Sequence, residues 1–111
     1  DRYRENLGDI EGVHVPFSGY EGRPSNYVFG VLTDHPDRAG LRKQMGERDI
    51  GTSMHYPPVH QFECYGPYST SLPITEEIGR REISLPLFFD MTLDQVDYVC
   101  EGLQECLHVT A

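Results

Sequence analysis

The segment from Gly51 to Tyr65, GTSMHYPPVHQFECY, crowds His55, Tyr56, His60, Cys64 and Tyr65 around the Pro57-Pro58 pair. The prolines fix the backbone, so the imidazole and phenol beside them are polar groups on rigid bodies that cost little entropy to order. An HY pair held this way could offer hydrogen bonds to a phosphate or a sugar hydroxyl. His55, His60 and Cys64 are also soft or borderline metal ligands. Their spacing, four and three intervening residues, does not match a zinc finger, and no second cysteine pair completes a tetrahedron. A hydrolase is poorly supported: there is no G-x-S-x-G, and His60 near Cys64 lacks a third orienting group.

Two further motifs follow in order, Leu72-Pro73-Ile74-Thr75-Glu76 and Ile83-Ser84-Leu85-Pro86-Leu87-Phe88-Phe89-Asp90-Met91-Thr92. No one of them is specific. Together, the order HYPP-x-H, LP-x-TE, SLPLF-x-DMT resembles the C-terminal part of the DegT/DnrJ/EryC1/StrS sugar aminotransferases. The likeness spans about residues 26 to 107 and is sharpest over 51 to 92. It implies a pyridoxal-phosphate enzyme that moves an amino group from an amino acid such as glutamate to a keto-sugar nucleotide or cyclitol. It implies further that this chain is the small C-terminal domain, working with its own large N-terminal domain and a homodimer partner. On that likeness His55, Tyr56 and His60 are the substrate-binding candidates, for a nucleotide-sugar.

The chain by itself lacks the chemistry of the cofactor. A pyridoxal-phosphate enzyme needs a lysine whose amine can approach neutrality. Lys43 is the single lysine, and it lies mid-helix between Arg42 and Gln44 with nothing nearby to desolvate it. No G-x-G-x-x-G or G-x-x-x-x-G-K-[ST] phosphate cradle occurs. The expectation is an inert piece, with no catalytic, cofactor or metal residue of its own, whose cofactor is held elsewhere in the intact enzyme.

Composition narrows the partners. A formal charge of -9 argues against nucleic acid or an anionic membrane, both of which need a basic face. With 38% apolar residues the chain suits one globular domain, residues 1–111, and not a disordered tail. Cys64, Cys100 and Cys106 have no framework spacing, so reduced thiols in a cytoplasmic protein are expected. No apolar run approaches the roughly 20 residues that span a bilayer, and no signal-peptide pattern is present. The chain starts at Asp1, without methionine and inside helix-like sequence, which suggests a fragment of a longer protein.

These residues must be positioned by short elements. Tyr27–Leu32 is an apolar, aromatic and β-branched run expected to be a central strand. Arg23 and Asn26, just before it, read as solvated loop residues. A helix is expected from Asp34 as N-cap, with Leu41 and Met45 buried and Gly40 and Gly46 weakening it. Thr52–Tyr56 suits a second strand that Pro57-Pro58 ends, and Ile83–Phe88 a third. Thr75–Arg81 suits a helix with Glu76–Arg80 and Glu77–Arg81 pairs. Of Phe88 and Phe89, one ring is expected in the core. The last helix starts at a capping box, Thr92 with Gln95, and buries Leu93, Val96, Val99, Cys100, Leu103 and Leu107. The fold class is α+β: a small antiparallel or mixed sheet covered by helices on one side. That is also the form of the C-terminal small domain of fold-type-I pyridoxal-phosphate transferases. A stand-alone protein-interaction or metal-binding module using the His55–His60 segment is the alternative.

Overall fold

The computed structural model describes residues 2–25 and 27–108; Asp1 and Asn26, both singled out above, lie outside them. The elements run α1 (Arg2–Leu7), β1 (Val13–His14), β2 (Phe29–Thr33), α2 (Arg38–Glu47), two 3₁₀ turns (Val59–Gln61 and Glu63–Tyr68), α3 (Pro73–Arg81), β3 (Glu82–Leu85) and α4 (Leu93–Leu107). The strands form one antiparallel sheet in the order β1-β2-β3. Its fold class is α+β, as the sequence predicts.

Alternation along β3 decides which face does what. Ile83 and Leu85 point to the core with Val31 of β2, while Glu82 and Ser84 take the opposite face. The core face is covered by Tyr3 and Leu7 of α1, Leu41 and Met45 of α2, and Val96, Val99, Cys100, Leu103 and Cys106 of α4. Fully burying one such leucine or valine contributes roughly 1.5–3 kcal/mol, so this face carries most of the fold's stability. Gly102 lets α4 come close, because a Cβ there would lie 2.5 Å from Ile50 Cδ1. The expected capping box is present: Thr92 Oγ1 accepts from Gln95 N at 3.1 Å and Gln95 Oε1 from Thr92 N at 2.8 Å. Leu93 differs from expectation. It is exposed at the first helical position, outside the buried stripe that starts at Val96.

Three other expectations are corrected. The second helix starts at Arg38, capped by Asp37, whose carboxylate accepts from Gly40 N at 3.0 Å. Asp34 instead pairs with Arg81 at 2.6 Å. Gly40 has its reason here, since a Cβ would sit 2.3 Å from the capping carboxylate. Neither phenylalanine of the 88–89 pair is buried; Phe88 is 54% and Phe89 101% exposed.

The expected strand at Thr52–Tyr56 is reduced to one bridge. Ser53 and Ser84 exchange N–H···O bonds of 3.1 and 2.8 Å. In an antiparallel ladder the next such pair is two residues on, His55 with Glu82. Yet His55 N donates to the Glu82 side chain at 3.1 Å, and the Glu82 carbonyl is taken by the Arg38 guanidinium at 3.3 Å. In the other direction Pro86 has no N–H to give. The ladder therefore stops after one rung, and the HYPP segment leaves the sheet at His55.

Candidate substrate-contact site

The HYPP segment is anchored at both of its ends. At the first, Ser53 is bonded to Ser84 as described. Beyond the prolines, Pro58 packs on α3 where Gly79 leaves room: a Cβ at Gly79 would lie 2.6 Å from Pro58 Cγ. Between these points His55 and Tyr56 are exposed, joined by a cis peptide bond.

His55 is held at two points, whose partners are bonded to each other. Its backbone N–H donates to Glu82 Oε2, its Nδ1 lies 2.6 Å from Ser84 Oγ, and Ser84 Oγ donates to Glu82 Oε1 at 2.6 Å. Ser84 itself is only 4% exposed. The Tyr56 ring meets the His55 ring edge-on, with centroids 4.8 Å apart. Tyr56 does not fill the core; it is 70% exposed and its hydroxyl has no hydrogen-bond partner among the described residues. A shallow cleft of about 300 Å³ opens beside the pair, lined in part by His55, Ser84, Ser53, Tyr27 and Leu87. A larger groove of about 520 Å³ lies along the same sheet face between Arg4, Phe17, Leu32, Ile78 and Glu82. It is mainly apolar, and His55 does not line it.

His60 is placed differently from the other two. It sits in the first 3₁₀ turn with 11% of its side chain open, and its Nε2 is 3.4 Å from Glu76 Oε2. That approach falls outside hydrogen-bond geometry, and Nε2 has no other hydrogen-bond partner among the described residues. The Glu76 carboxyl is held below the usual range chiefly by the Leu72 N–H, which it accepts at 2.6 Å, and then by His60. Glu76 is thus occupied by Leu72 and His60, not by the expected i,i+4 partner Arg80. The companion pair Glu77–Arg81 is present at 3.8 Å.

Among the described residues no three His, Cys, Asp or Glu side chains come together as a metal site, so the spacing of His55, His60 and Cys64 is not matched by convergence in space. The three cysteines are free, Cys64 exposed and Cys100 and Cys106 buried. Burial pushes both buried thiols up, away from the reactive thiolate. The residues do not fit a pyridoxal-phosphate site: Lys43 is exposed on α2, a helix that packs on the opposite face of the sheet from His55. Sequence reasoning missed Glu82 and Ser84. Their signal was the period-2 alternation with Ile83 and Leu85, which puts two polar side chains on one face.

The model of the DegT/DnrJ/EryC1/StrS aminotransferase family matches residues 1–104, and the chain belongs to that family. It is 29% identical over 106 residues to GDP-perosamine synthase of Escherichia coli O157:H7, covering 95% of this chain and 29% of that protein. It is 32% identical over 107 residues to dTDP-4-dehydro-2,3,6-trideoxy-D-glucose 4-aminotransferase of Saccharopolyspora spinosa, covering 96% of this chain and 28% of that one. Among solved structures it is similar to DesV of S. venezuelae in complex with a ketimine intermediate. There the TM-score is 0.87 at 28% identity, over 99% of this chain and 30% of that one. The chain therefore spans just under a third of the length of the relatives it matches.

Proposed function

We propose that this chain is the small domain of a sugar aminotransferase. The intact protein would exchange the amino group and a hydrogen of an amino acid such as glutamate for the carbonyl oxygen of a keto-sugar nucleotide. The observation that carries this reading is the family match over residues 1–104, combined with relatives that act on GDP- and dTDP-linked sugars. Pyridoxal phosphate supplies the amino-carrying chemistry in such enzymes. Its lysine and phosphate contacts belong to a large N-terminal domain, because the residues here cannot hold it. A homodimer in the cytoplasm fits the reading; no described helix is long and apolar enough to cross a membrane.

Within that enzyme His55 and Tyr56 contact the nucleotide-sugar. Both are exposed beside the cleft, and His55 is held by Glu82 and Ser84 before any ligand arrives, so little ordering entropy remains to be lost there. His60 lines neither cleft; its imidazole lies against Glu76 of α3, and its assigned role is to seat the 3₁₀ turn that follows the HYPP segment. The test is steady-state kinetics of the intact enzyme with a keto-sugar nucleotide and glutamate. Tyr56→Phe and His55→Gln are expected to raise KM for the nucleotide-sugar about tenfold each, the worth of one hydrogen bond of about 1.4 kcal/mol. Unchanged KM in both variants removes these residues from the substrate site.

A further inference from the structure

The hydrogen bonds around Ser84 admit a strict donor count. A carboxylate can only accept, so the 2.6 Å contact between Ser84 Oγ and Glu82 Oε1 uses the single hydroxyl proton of Ser84. The Ser84 oxygen is then an acceptor toward His55, and the 2.6 Å contact with Nδ1 requires the imidazole to donate. In the neutral ring the proton therefore sits on Nδ1, and Nε2 carries a bare lone pair. The order is unlike a hydrolytic triad, where the histidine stands between carboxylate and hydroxyl. Here the buried hydroxyl is in the middle and is a relay, not a nucleophile.

Three independent features hold the relay in register. The backbone of Ser84 exchanges both of its hydrogen bonds with Ser53, and on its other side it stands opposite Gly30 of β2 in the register of the sheet. The Glu82 carboxylate is fixed by its second oxygen, which accepts His55 N. The third feature is the residue facing Ser84. A Cβ at Gly30 would lie 2.9 Å from Glu82 Oε1, so the carboxylate can lie across the strand only because Gly30 has no side chain. Glu82 is the one charged side chain within hydrogen-bond distance of His55 or Ser84 among the described residues.

We infer that Glu82 and Ser84 are positioning residues that lock neutral His55 with its proton on Nδ1, so that Nε2 accepts from a hydroxyl or amine of the ligand's sugar. A phosphate oxygen, itself an acceptor, finds no donor there in the neutral ring. The assignment rests on the reading of His55 as a substrate contact, but the tautomer is measured without any ligand. The experiment is long-range ¹H–¹⁵N correlation spectroscopy of the full 111-residue chain with ¹⁵N-labelled histidine, at about pH 8, where an ordinary imidazole is neutral. His55→Gln identifies the signal.

The expected result is a pyrrole-type Nδ1 and a pyridine-type Nε2 for His55. In Glu82→Gln the amide can donate to Ser84 while its oxygen keeps His55 N, which frees the hydroxyl to donate to Nδ1. That variant is expected to move the proton to Nε2. Gly30→Ala displaces only the end of a flexible side chain and is expected to shift the population the same way with all three residues intact. A His55 protonated on Nε2 in the parent chain, or a tautomer unchanged in both variants, overturns the relay. Either outcome leaves the KM test of His55 and Tyr56 as it stands. With the relay in place, both variants raise KM for the nucleotide-sugar about tenfold in the intact enzyme.

Discussion

Asp97 ties the first helix to the last and gives the chain a titratable joint. Its carboxylate accepts from Arg2 Nε at 2.8 Å, Arg2 Nη2 at 2.9 Å and Asn6 Nδ2 at 2.7 Å. The Arg2 bonds first, and Asn6 second, hold its pKa down to about 2. A carboxyl whose pKa is lower folded than unfolded contributes stability above the unfolded value, near 4, and loses it as pH falls through about 2. Asp97→Asn is therefore expected to flatten the acid side of the stability curve between about pH 4 and pH 2, read by urea denaturation at stepped pH. An unchanged slope would mean that the pair is too solvated to matter. Tyr3 is a second such residue. Its hydroxyl donates to the Pro86 carbonyl at 2.5 Å, and its ring stacks on Phe29 at 4.8 Å. Tyr3→Phe leaves that carbonyl without its partner and is expected to cost about 1–2 kcal/mol in denaturant unfolding.

At the scale of elements, helix ends explain both what was legible and what was not. The capping box of α4 was readable because Thr92 and Gln95 stand at fixed offsets before a strong apolar repeat. The start of α2 was misread because Asp34 and Asp37 are both good caps, and only tertiary structure shows that Arg81 claims Asp34. The lost strand has a similar cause. Thr52–Tyr56 has β propensity, but the Glu82 side chain captures the N–H that would have extended the ladder. The C-terminus of α2 is a Schellman motif, with Ile50 N bonded to Met45 O and Asp49 N to Gly46 O, both at 3.0 Å. Asp49 occupies its left-handed position at φ 62°, where glycine is usual. Asp49→Gly is expected to stabilise the chain by up to roughly 1 kcal/mol, visible as a raised denaturant midpoint with an unchanged m-value. A lowered midpoint would mean that the Asp49 side chain makes a compensating contact.

On the scale of the whole molecule, the two sheet faces are finished differently. One carries the apolar core. The other carries Glu82, Ser84 and the two clefts, with exposed Phe17 lining the larger, exposed Tyr27 the smaller, and Tyr56 next to His55. Nothing in the spacing of Phe88-Phe89 or Tyr27 said which rings would be left uncovered, since burial depends on tertiary packing that local sequence does not encode. In the intact enzyme these rings should be shielded, so hydroxyl-radical footprinting is expected to label Phe17, Tyr27 and Phe89 strongly in this chain and weakly in the whole protein.

The most direct test of the central claim follows the amino group itself. The intact protein would be incubated with pyridoxal phosphate, ¹⁵N-glutamate and a keto-sugar nucleotide, either dTDP-4-keto-6-deoxyglucose or GDP-4-keto-6-deoxymannose, and the products weighed by mass spectrometry. A sugar aminotransferase yields an amino-sugar nucleotide carrying ¹⁵N, together with 2-oxoglutarate in equal amount. Nucleotide-sugars that never acquire the label, from either substrate and with the cofactor bound, would contradict the account.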